Sequence, residues 1–444
     1  MRTMAGRRRG RPLVAVAGVS ALLALISACG GSSSGGGGGG SVEGSKITLS
    51  VQAGLVPQFQ KYVAAYEKAY PKRKVTVGSL PDDATQYVQQ LVTERLGNKL
   101  PDVLMNVDYA ANPLADGNVT LDIADRLEKG TDGLKGSSFL PQFVGQYRPV
   151  SHPEQITGLP VSADSTTLFY NKAVFEKAGV TEYPKATWTW DDLYRVGAEI
   201  EQKTGGKYAG LTAPLGTGDQ PAVYNPVIHA MGGYVYDPKT KKSGIGQPEA
   251  IKAWEMLLKA YGTASPKYSA NVAGQPKFEQ GQSAMAFSVR AAVPNIKQSL
   301  KDDWDAQTMP KLNGKPTVGG GSYGLSISKS SHNQDAAWAF LAWFYSQDGG
   351  MKVAQATGQV VPPTQEGVDH GTWRQLPAPP QNEAAFAQDA KDAYLPAALP
   401  GSAGTVLSDS VIKAVQQVEL QHRSVADAFG DAEKAVNQAL QSAK

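Results

Sequence analysis

The 444-residue chain has one cysteine, Cys29, and five histidines. A single cysteine excludes a disulfide bond within the chain and any metal or redox site built on two thiolates. The histidines are scattered, and none forms the His-Glu-x-x-His pattern of zinc hydrolases. Phosphate-binding loops and dinucleotide fingerprints are absent as well. We therefore expect no metal, no cofactor and no enzymatic activity.

Long hydrophobic runs are equally scarce, and the chain has one near its start. Five arginines before residue 12 precede an apolar stretch over residues 13–28. This stretch is shorter than the ~20 residues that a membrane span needs, whereas a charged start and small residues before a cleavage point are typical of a secretory signal. The Ile-Ser-Ala-Cys ending resembles a bacterial lipobox, in which the cysteine is lipidated and becomes the first mature residue. We expect a signal peptide over residues 1–28, lipid on Cys29 and a position on the extracytoplasmic face of the cell membrane.

The segment after Cys29 is dominated by glycine and serine. Such a composition buries too little apolar surface to order itself and behaves as a flexible coil, so we interpret residues 29–45 as a tether. Removal of the signal takes away five arginines and changes the formal net charge from +3 to −2. The basic pI therefore belongs to the signal, and the mature chain is not expected to bind nucleic acid.

From residue 46 onward, strand and helix patterns alternate. Apolar side chains alternate at Ile47, Leu49 and Val51, as in a strand, and then repeat at helical spacing between residues 59 and 70. The following segments predict a strand, a helix and a buried strand at residues 75–77, 87–95 and 102–107. This βαβαβ order predicts a parallel sheet covered by helices. Further helices are predicted over residues 190–202, 249–261, 335–345 and 424–440, the first with a capping box formed by Thr189 and Asp192.

The ends of these strands indicate where a ligand would bind. In an open α/β sheet, ligands lie outside the carboxyl ends of the strands. The first predicted strand ends at Gln52, and Asp108 and Tyr109 follow the third. We therefore expect these three residues near a ligand.

Short motifs follow one another in a characteristic order along the mature chain. They include Gly-Leu-Pro-Val at 158–161, Tyr-Asn-Lys at 170–172, Thr-Trp-Thr-Trp-Asp-Asp at 187–192, Phe-Glu-Gln-Gly at 278–281 and Ala-Trp-Ala-Phe-Leu at 337–341. In this order they resemble the extracellular solute-binding proteins of carbohydrate ABC importers, the family that includes the maltose-binding protein. The resemblance implies an α/β, two-lobed periplasmic-binding-protein-like fold of the class II type, with three hinge crossings and the ligand in the cleft.

The resemblance also implies boundaries for the two lobes. Lobe 1 is expected over residues 46–163 and 323–370, and lobe 2 over residues 164–322 and 371–444. The first crossing is expected at Ala163 and Asp164, the second at residues 319–322 and the third within residues 362–380. Glycines at the second crossing would absorb the backbone rotation of a hinge.

Carboxylates are strong acceptors for sugar hydroxyls, because charge-assisted hydrogen bonds are about twice as strong as neutral ones. The resemblance implies a ligand-binding acid at Asp164, and an acid and an aromatic residue at Asp108 and Tyr109. Either acid could instead cap the backbone. Asn106 stands at a ligand-contacting position where the maltose group has tryptophan, which makes a long maltodextrin less certain. Gln52 and Gly54 lie where the first strand ends, and the contact expected there is made either by the side chain of Gln52 or by the backbone near Gly54.

Lobe 2 and the second hinge supply the remaining candidates. Gln220 and Tyr224 precede and begin a helix from which the family takes stacking and polar residues, although Tyr224 could equally be a core residue. Arg290 replaces the Gly and Trp of many relatives and indicates a charged ligand, or closes an ion pair. Ser322 and Tyr323 face the cleft in the family.

The function implied is capture of a sugar or oligosaccharide by a monomer that delivers it to the membrane permease of an ABC importer. One alternative is a binder of a phosphorylated or other polar solute, such as a glycerol phosphate. Another is a surface glycan-active enzyme, whose paired carboxylates would come from distant strands.

Overall fold

The computed structural model describes residues 42–442, except residues 217 and 302. The predicted signal peptide, Cys29 and most of the predicted tether lie outside the described residues. No helix within the described part of the chain is long and apolar enough to cross a membrane. The strands are β1 (Lys46–Gln52), β2 (Lys74–Leu80), β3 (Val103–Val107), β4 (Leu159–Pro160), β5 (Asp164–Ser165), β6 (Thr167–Asn171), β7 (Ala209–Leu211), β8 (Tyr236–Asp237), β9 (Lys242–Ser243), β10 (Ser283–Ser288), β11 (Trp304–Gln307), β12 (Lys311–Leu312), β13 (Lys315–Pro316), β14 (Gly320–Gly321) and β15 (Tyr323–Ile327).

Helices cover and connect these strands. They are α1 (Val56–Ala69), α2 (Ala84–Leu96), α3 (Ala111–Asp116), α4 (Ala124–Lys129), α5 (Pro141–Gly145), α6 (Lys172–Ala178), α7 (Trp190–Lys203), α8 (Pro221–Ala230), α9 (Pro248–Leu258), α10 (Val293–Ser299), α11 (Gln334–Tyr345), α12 (Gly350–Ala356), α13 (Gln365–His370), α14 (Glu383–Asp392), α15 (Ala403–Gln421) and α16 (Val425–Ser442). Asp83 caps α2 by accepting from Gln86 N at 2.9 Å, and Thr189 and Asp192 form the predicted capping box of α7.

The first lobe is built on a five-stranded sheet with the order β2-β1-β3-β15-β4. Strands β1, β2 and β3 are parallel and are connected by α1 and α2, which confirms the predicted βαβαβ unit. Strand β15 returns from the second lobe and pairs antiparallel with β3. The carboxyl ends of β1 and β3 therefore meet at the edge of the sheet that faces the other lobe.

The second lobe contains a four-stranded sheet with the order β11-β6-β10-β7. Trp190 and Trp254, on α7 and α9, are fully buried in its core, while Trp338 and Trp343 of α11 lie in the core of the first lobe. These tryptophans occupy the core positions that their helical spacing indicates. The two-lobed α/β fold expected from the sequence is confirmed.

Packing favours a third crossing near Val361, at the beginning of the range predicted from the sequence. Val360 belongs to the core of the first lobe, whereas Val361 and Val368 belong to that of the second. The carbonyl of Val361 accepts from Ala163 N at 2.8 Å, so this crossing lies against the first one. The predicted range of 362–380 and the boundary at residue 370 remain predictions.

The second crossing consists of β14, which pairs antiparallel with β5 of the first crossing. A Cβ atom on Gly319 would overlap the carbonyl oxygen of Ala222, and one on Gly320 would overlap that of Asp164. Neither glycine has a positive φ. These glycines allow two backbones to approach closely, which is a steric reason for them distinct from the rotational freedom that we expected.

Candidate ligand-binding site

A cavity of about 210 Å³, here called the inner cavity, opens between the lobes beside the second crossing. Lobe 1 contributes Asp108, Tyr109 and Gln146 to its wall. The remaining lining residues come from α8, the β8 region, β14, the start of α15 and the extended segment before it: Pro221, Tyr224, Asn225, Val235, Tyr236, Gly320, Pro396, Ala397, Ala398, Leu399, Gly404 and Leu407. The carboxyl end of β3 thus faces a helix start across the cleft, which is where ligands bind in open α/β sheets.

Asp108 is held in one orientation at the lobe 1 side of the inner cavity. Its Oδ1 accepts from Tyr109 N at 2.7 Å, and its Oδ2 accepts from Ser322 N at 3.1 Å. Burial raises the pKa of the Asp108 carboxyl, and the hydrogen bonds from Ser322, Tyr109 and Gln146 partly oppose that rise. Because the backbone donors come from lobe 1 and from the second crossing, the orientation of the carboxylate is coupled to the hinge.

Three other polar side chains of the wall have unused acceptors or donors. Oε1 of Gln146, Oδ1 of Asn225 and the hydroxyl of Tyr236 are buried, and none has a hydrogen-bond partner among the residues that the structure describes. Buried polar groups are normally paired, since an unpaired one costs about 1–3 kcal/mol. Three such groups around one cavity fit a ligand that carries several hydroxyls.

Tyr109 supplies an apolar face to the same cavity. Its side chain is 44% exposed, which makes it one of the few large aromatic residues left accessible in the described part of the chain. A hydrogen bond links it to Gln52, whose Nε2 also donates to the carbonyl of Asp82 at 3.1 Å. An accessible ring beside fixed polar groups can pack against the C–H surface of a sugar.

Comparisons with known proteins were consistent with this architecture. The sequence profile of the bacterial extracellular solute-binding proteins matches residues 52–351. The chain belongs to this family. A maltotriose-binding protein of Pyrococcus abyssi is 27% identical over 193 residues, which are 42% of this chain and 39% of that protein.

Solved structures of similar fold align with most of this chain and with nearly all of their own chains. The sugar-binding protein MalE of Xanthomonas citri has a TM-score of 0.76 and 19% identity, covering 89% of this chain and 98% of that one. The cyclic alpha-maltosyl-1,6-maltose binding protein of Arthrobacter globiformis has a TM-score of 0.74 and 20% identity, covering 89% and 99%. At these identities the likeness concerns the fold alone.

Several of the predicted site residues lie next to the inner cavity without lining it. Ser322 is buried, donates its N–H to Asp108 and accepts from the Tyr147 hydroxyl at 3.0 Å through its carbonyl, so it positions the carboxylate. Gln220 is exposed at the start of α8, directly before Pro221. Tyr323 packs against Phe59 of lobe 1, with ring centroids 6.4 Å apart.

Two predicted contacts belong instead to the cores of the lobes. Asn106 is fully buried, and its Nδ2 donates to Ser326 Oγ at 2.9 Å between β3 and β15. Tyr224 borders the inner cavity but is 1% exposed, with its ring 4.9 Å from that of Trp254. Neither presents an accessible face to a ligand, because each side chain is enclosed by its own lobe. Tyr109 is the accessible ring instead.

Arg290 takes the second of its two predicted roles, that of closing an ion pair. It is 2% exposed and forms a bidentate ion pair with Glu383, with Nε–Oε2 and Nη2–Oε1 distances of 2.9 and 2.8 Å. Its remaining Nη1 donates to the carbonyl of Gly358. This guanidinium is paired inside the protein, so Arg290 gives no support for a charged ligand.

Asp164 lies on β5 at the hinge and does not line the inner cavity. Its Oδ2 accepts from the Ser162 hydroxyl, while Oδ1 is buried with no partner among the described residues. Burial is the main cause that raises the pKa of Asp164 to about 6; the Ser162 hydrogen bond opposes the rise and the charge of Asp108 adds to it. Asp164 is therefore a buried hinge acid with one carboxylate oxygen that no described residue pairs.

This raised pKa predicts a pH-dependent stability. Between the ordinary pKa of about 4 and the folded value of about 6, the folded chain binds more protons than the unfolded one, so the free energy of unfolding falls as pH rises through this window. In Asp164→Asn, we expect the decrease of the free energy of unfolding over this pH window to be smaller by up to about 3 kcal/mol. The melting temperature at pH 7 should be higher than that of the wild type. Urea unfolding of the wild type and the variant at pH 4.5 and 7 measures the pH dependence of the free energy of unfolding. An identical pH dependence in the variant would contradict the assignment.

Four parts of the inner-cavity wall were not predicted from the sequence. Gln146 follows the short helix α5, Tyr236 lies in a two-residue strand, and the segment Pro396 to Leu399 has no regular structure. None of these has a periodic pattern from which a direction can be inferred. Asn225 could have been predicted, because it follows Tyr224 at the start of a helix that the sequence had already indicated.

Proposed function

We propose that this protein is the extracytoplasmic binding component of a carbohydrate ABC importer, and that it holds a neutral sugar in the inner cavity. The observation that carries the proposal is the wall of that cavity, which combines the fixed carboxylate of Asp108, three unpaired polar groups and the accessible ring of Tyr109. A sugar presents hydroxyls in the plane of its ring and C–H groups on its faces, so it satisfies both kinds of group. The sugar ligands named for similar proteins support the same class.

The charges around the cavity argue against an anionic ligand. Neither lysine nor arginine occurs among the described residues that line it, while Asp108 lies in its wall and Asp164 nearby. Arg290, the residue that suggested a phosphorylated ligand, is fully paired with Glu383. A phosphate would bring negative charge next to carboxylates without a compensating cation, which is costly in a partly buried site.

A glycan-cleaving activity has no support in the same geometry. Glycosidases place two carboxyl groups on either side of the scissile bond, about 5–10 Å apart. Asp108 is the one carboxylic acid among the described residues that line the inner cavity, and its oxygens accept hydrogen bonds from Tyr109 and Ser322. Among the described residues, no three His, Cys, Asp or Glu side chains are placed to hold a metal ion.

The ligand class can be tested by thermal unfolding with two sets of compounds. One set contains neutral mono- and oligosaccharides, and the other contains glycerol 3-phosphate, glucose 6-phosphate and glycerophosphocholine. A ligand at one hundred times its Kd adds about 2.7 kcal/mol of apparent stability, which is a clear shift in melting temperature. We expect shifts with neutral sugars alone and no shortened glycans after incubation. Stabilisation by the phosphorylated set alone would overturn the proposal.

Lipid anchoring completes the proposed function, because an importer needs its binding protein near the permease. The support is the lipobox-like ending at Cys29 and the Gly/Ser segment behind it. We expect Cys29→Ser to move the protein from the membrane fraction to the medium, or to leave it uncleaved, with an unchanged melting temperature. Fractionation followed by mass spectrometry of the N-terminus checks this. Normal membrane retention of the variant would contradict it.

A further inference from the structure

The described residues begin beside a group of basic side chains. Glu43, at the end of the predicted tether, forms an ion pair with Lys72 at 3.1 Å, and the carbonyl of Ser45 accepts from Lys74 N at 2.9 Å. Strand β1 then starts at Lys46, which is opposite Lys74 in the parallel register of β1 and β2. The predicted tether therefore joins lobe 1 at the amino-terminal edge of its parallel sheet.

This edge, here called the basic edge, has cations from the last turn of α1, the loop after it, the starts of β1 and β2, and the loop before β3. They are Lys46, Lys68, Lys72, Arg73, Lys74 and Lys99. Lys72 and Lys74 each pair with a glutamate, whereas the other four form no ion pair with any residue that the structure describes. Without its predicted signal the chain has a formal net charge of −2, so this positive charge is a local concentration.

An accessible aromatic ring lies within the basic edge. Tyr70 is 37% exposed, and its ring centre is 5.1 Å from that of the buried Tyr66. The guanidinium carbon of Arg73 lies 4.2 Å from the centre of the Tyr70 ring, and its Nη1 donates to the Tyr66 hydroxyl at 3.3 Å. Tyrosine and long basic side chains combine an apolar body with a polar tip, which suits them to the headgroup region of a membrane.

The predicted lipid on Cys29 would hold this edge near a membrane. Val42, the first described residue, comes thirteen residues after Cys29. A segment of that length spans at most about 47 Å when it is fully extended. Screening limits the attraction between exposed charges to about 8–10 Å, so cations at the point of attachment are better placed to reach the headgroups than cations elsewhere on the protein.

We propose that the basic edge binds the anionic lipid headgroups of the membrane to which the protein is anchored. This inference rests on the proposed function, because the lipid on Cys29 brings the edge to the membrane, and it adds the surface that makes contact. The carboxyl ends of β1 and β3 form the opposite edge of the same sheet, beside the inner cavity. Contact through the basic edge therefore leaves that cavity away from the membrane. The contact is electrostatic, so it is reversible and weakens with salt.

The test is co-sedimentation with two kinds of vesicle, one of phosphatidylcholine alone and one of equal parts of phosphatidylcholine and phosphatidylglycerol. The wild type measures the effect of the anchor, and Cys29→Ser, which has no lipid, measures the effect of the basic edge. We expect the wild type to sediment with both kinds of vesicle. Cys29→Ser should sediment with the anionic vesicles alone, at low salt and not at high salt.

Two triple variants, both made in the Cys29→Ser chain, locate the contact. One replaces Lys46, Lys68 and Lys99 by glutamine. Because each basic residue near an anionic surface contributes a factor of about 5 in affinity, this variant should bind the anionic vesicles at least about tenfold more weakly. The matched control replaces three exposed lysines of lobe 2 that form no ion pair with described residues, Lys252, Lys259 and Lys267. It removes the same charge and should bind within about twofold of its parent, because charges far from the contact are screened.

The outcomes separate the basic edge from the anchor. Both triple variants keep the same N-terminus, so a signal that stayed uncleaved would affect them equally. If Cys29→Ser shows no preference for anionic vesicles, or if the two triple variants weaken equally, the inference is wrong, while sedimentation of the wild type with neutral vesicles still supports the anchor. Failure of the wild type to sediment with neutral vesicles contradicts the anchor alone. Binding of Cys29→Ser to polyphosphate but to neither vesicle would indicate a soluble polyanion and overturn the proposal.

Discussion

Replacement of Arg290 by methionine is expected to lower the free energy of unfolding by about 3–5 kcal/mol, because it leaves the charge of Glu383 buried without a partner. Arg290 and Glu383 are 2% and 6% exposed, and the guanidinium also lies 5.6 Å from the centre of the Phe386 ring. Burial already raises the pKa of Glu383, and Arg290 is the main influence that lowers it. Loss of the arginine therefore raises that pKa further.

The sign of the pH effect follows from this shift. A carboxyl group whose folded pKa is raised is better tolerated when it is protonated, so the stability deficit of Arg290→Met should shrink as the pH is lowered through the folded pKa. Urea unfolding at pH 5 and 7.5 measures the deficit. The double variant Arg290→Met with Glu383→Leu removes both charges and is expected to recover most of the stability.

Two controls distinguish a structural arginine from a ligand-binding one. Arg195→Met removes an arginine that is half exposed in its pair with Glu182, and it should cost less than about 1 kcal/mol. Sugar affinity of Arg290→Met should stay within about twofold of the wild type, because the side chain does not line the inner cavity. A stable variant that has lost its affinity would restore the role that the sequence suggested.

The first lobe could be predicted closely because its signals are local. Alternation in β1, the stripe on α1 and the Asp83 cap of α2 each act over fewer than about fifteen residues, so a single sequence contains them in full. The order of these elements then limits the sheet to a few topologies. The same local signals located Asp108 and Tyr109 at the end of β3.

The other half of the site depends on long-range packing and could not be predicted in the same way. The side chains of Asn106 and Asp108 are two residues apart, yet one is enclosed between β3 and β15 and the other reaches the cleft. Only the partner strand, more than two hundred residues away, decides this. Likewise, Arg290 forms its ion pair with Glu383, which lies on the helix α14, and the sequence analysis did not predict that helix.

Asp108→Ala is expected to cause the largest loss of ligand affinity. Charge-assisted hydrogen bonds contribute about 1.5–3 kcal/mol each, so the loss of one such bond to a sugar hydroxyl corresponds to a roughly 10- to 150-fold weaker Kd. The variant also removes the acceptor that holds Ser322 N at 3.1 Å. Asp108→Asn keeps the shape and one acceptor, and it should lose less affinity than alanine.

The matched control for this loss is Asp102→Asn, a carboxylate in the same lobe with a comparable set of bonds. Asp102 accepts from Thr48 N at 2.8 Å and from Ser331 Oγ at 2.6 Å, and it does not line the inner cavity. Its replacement should lower stability by about 1–3 kcal/mol and leave sugar affinity unchanged. Asp108 variants should instead lose sugar affinity in calorimetric titrations, and in thermal unfolding without ligand Asp108→Ala should also lose the stability that the Ser322 N hydrogen bond provides. If Asp108→Ala loses stability but binds the sugar normally, the carboxylate only ties β3 to the hinge, and the polar groups of Gln146, Asn225 and Tyr236 must carry recognition.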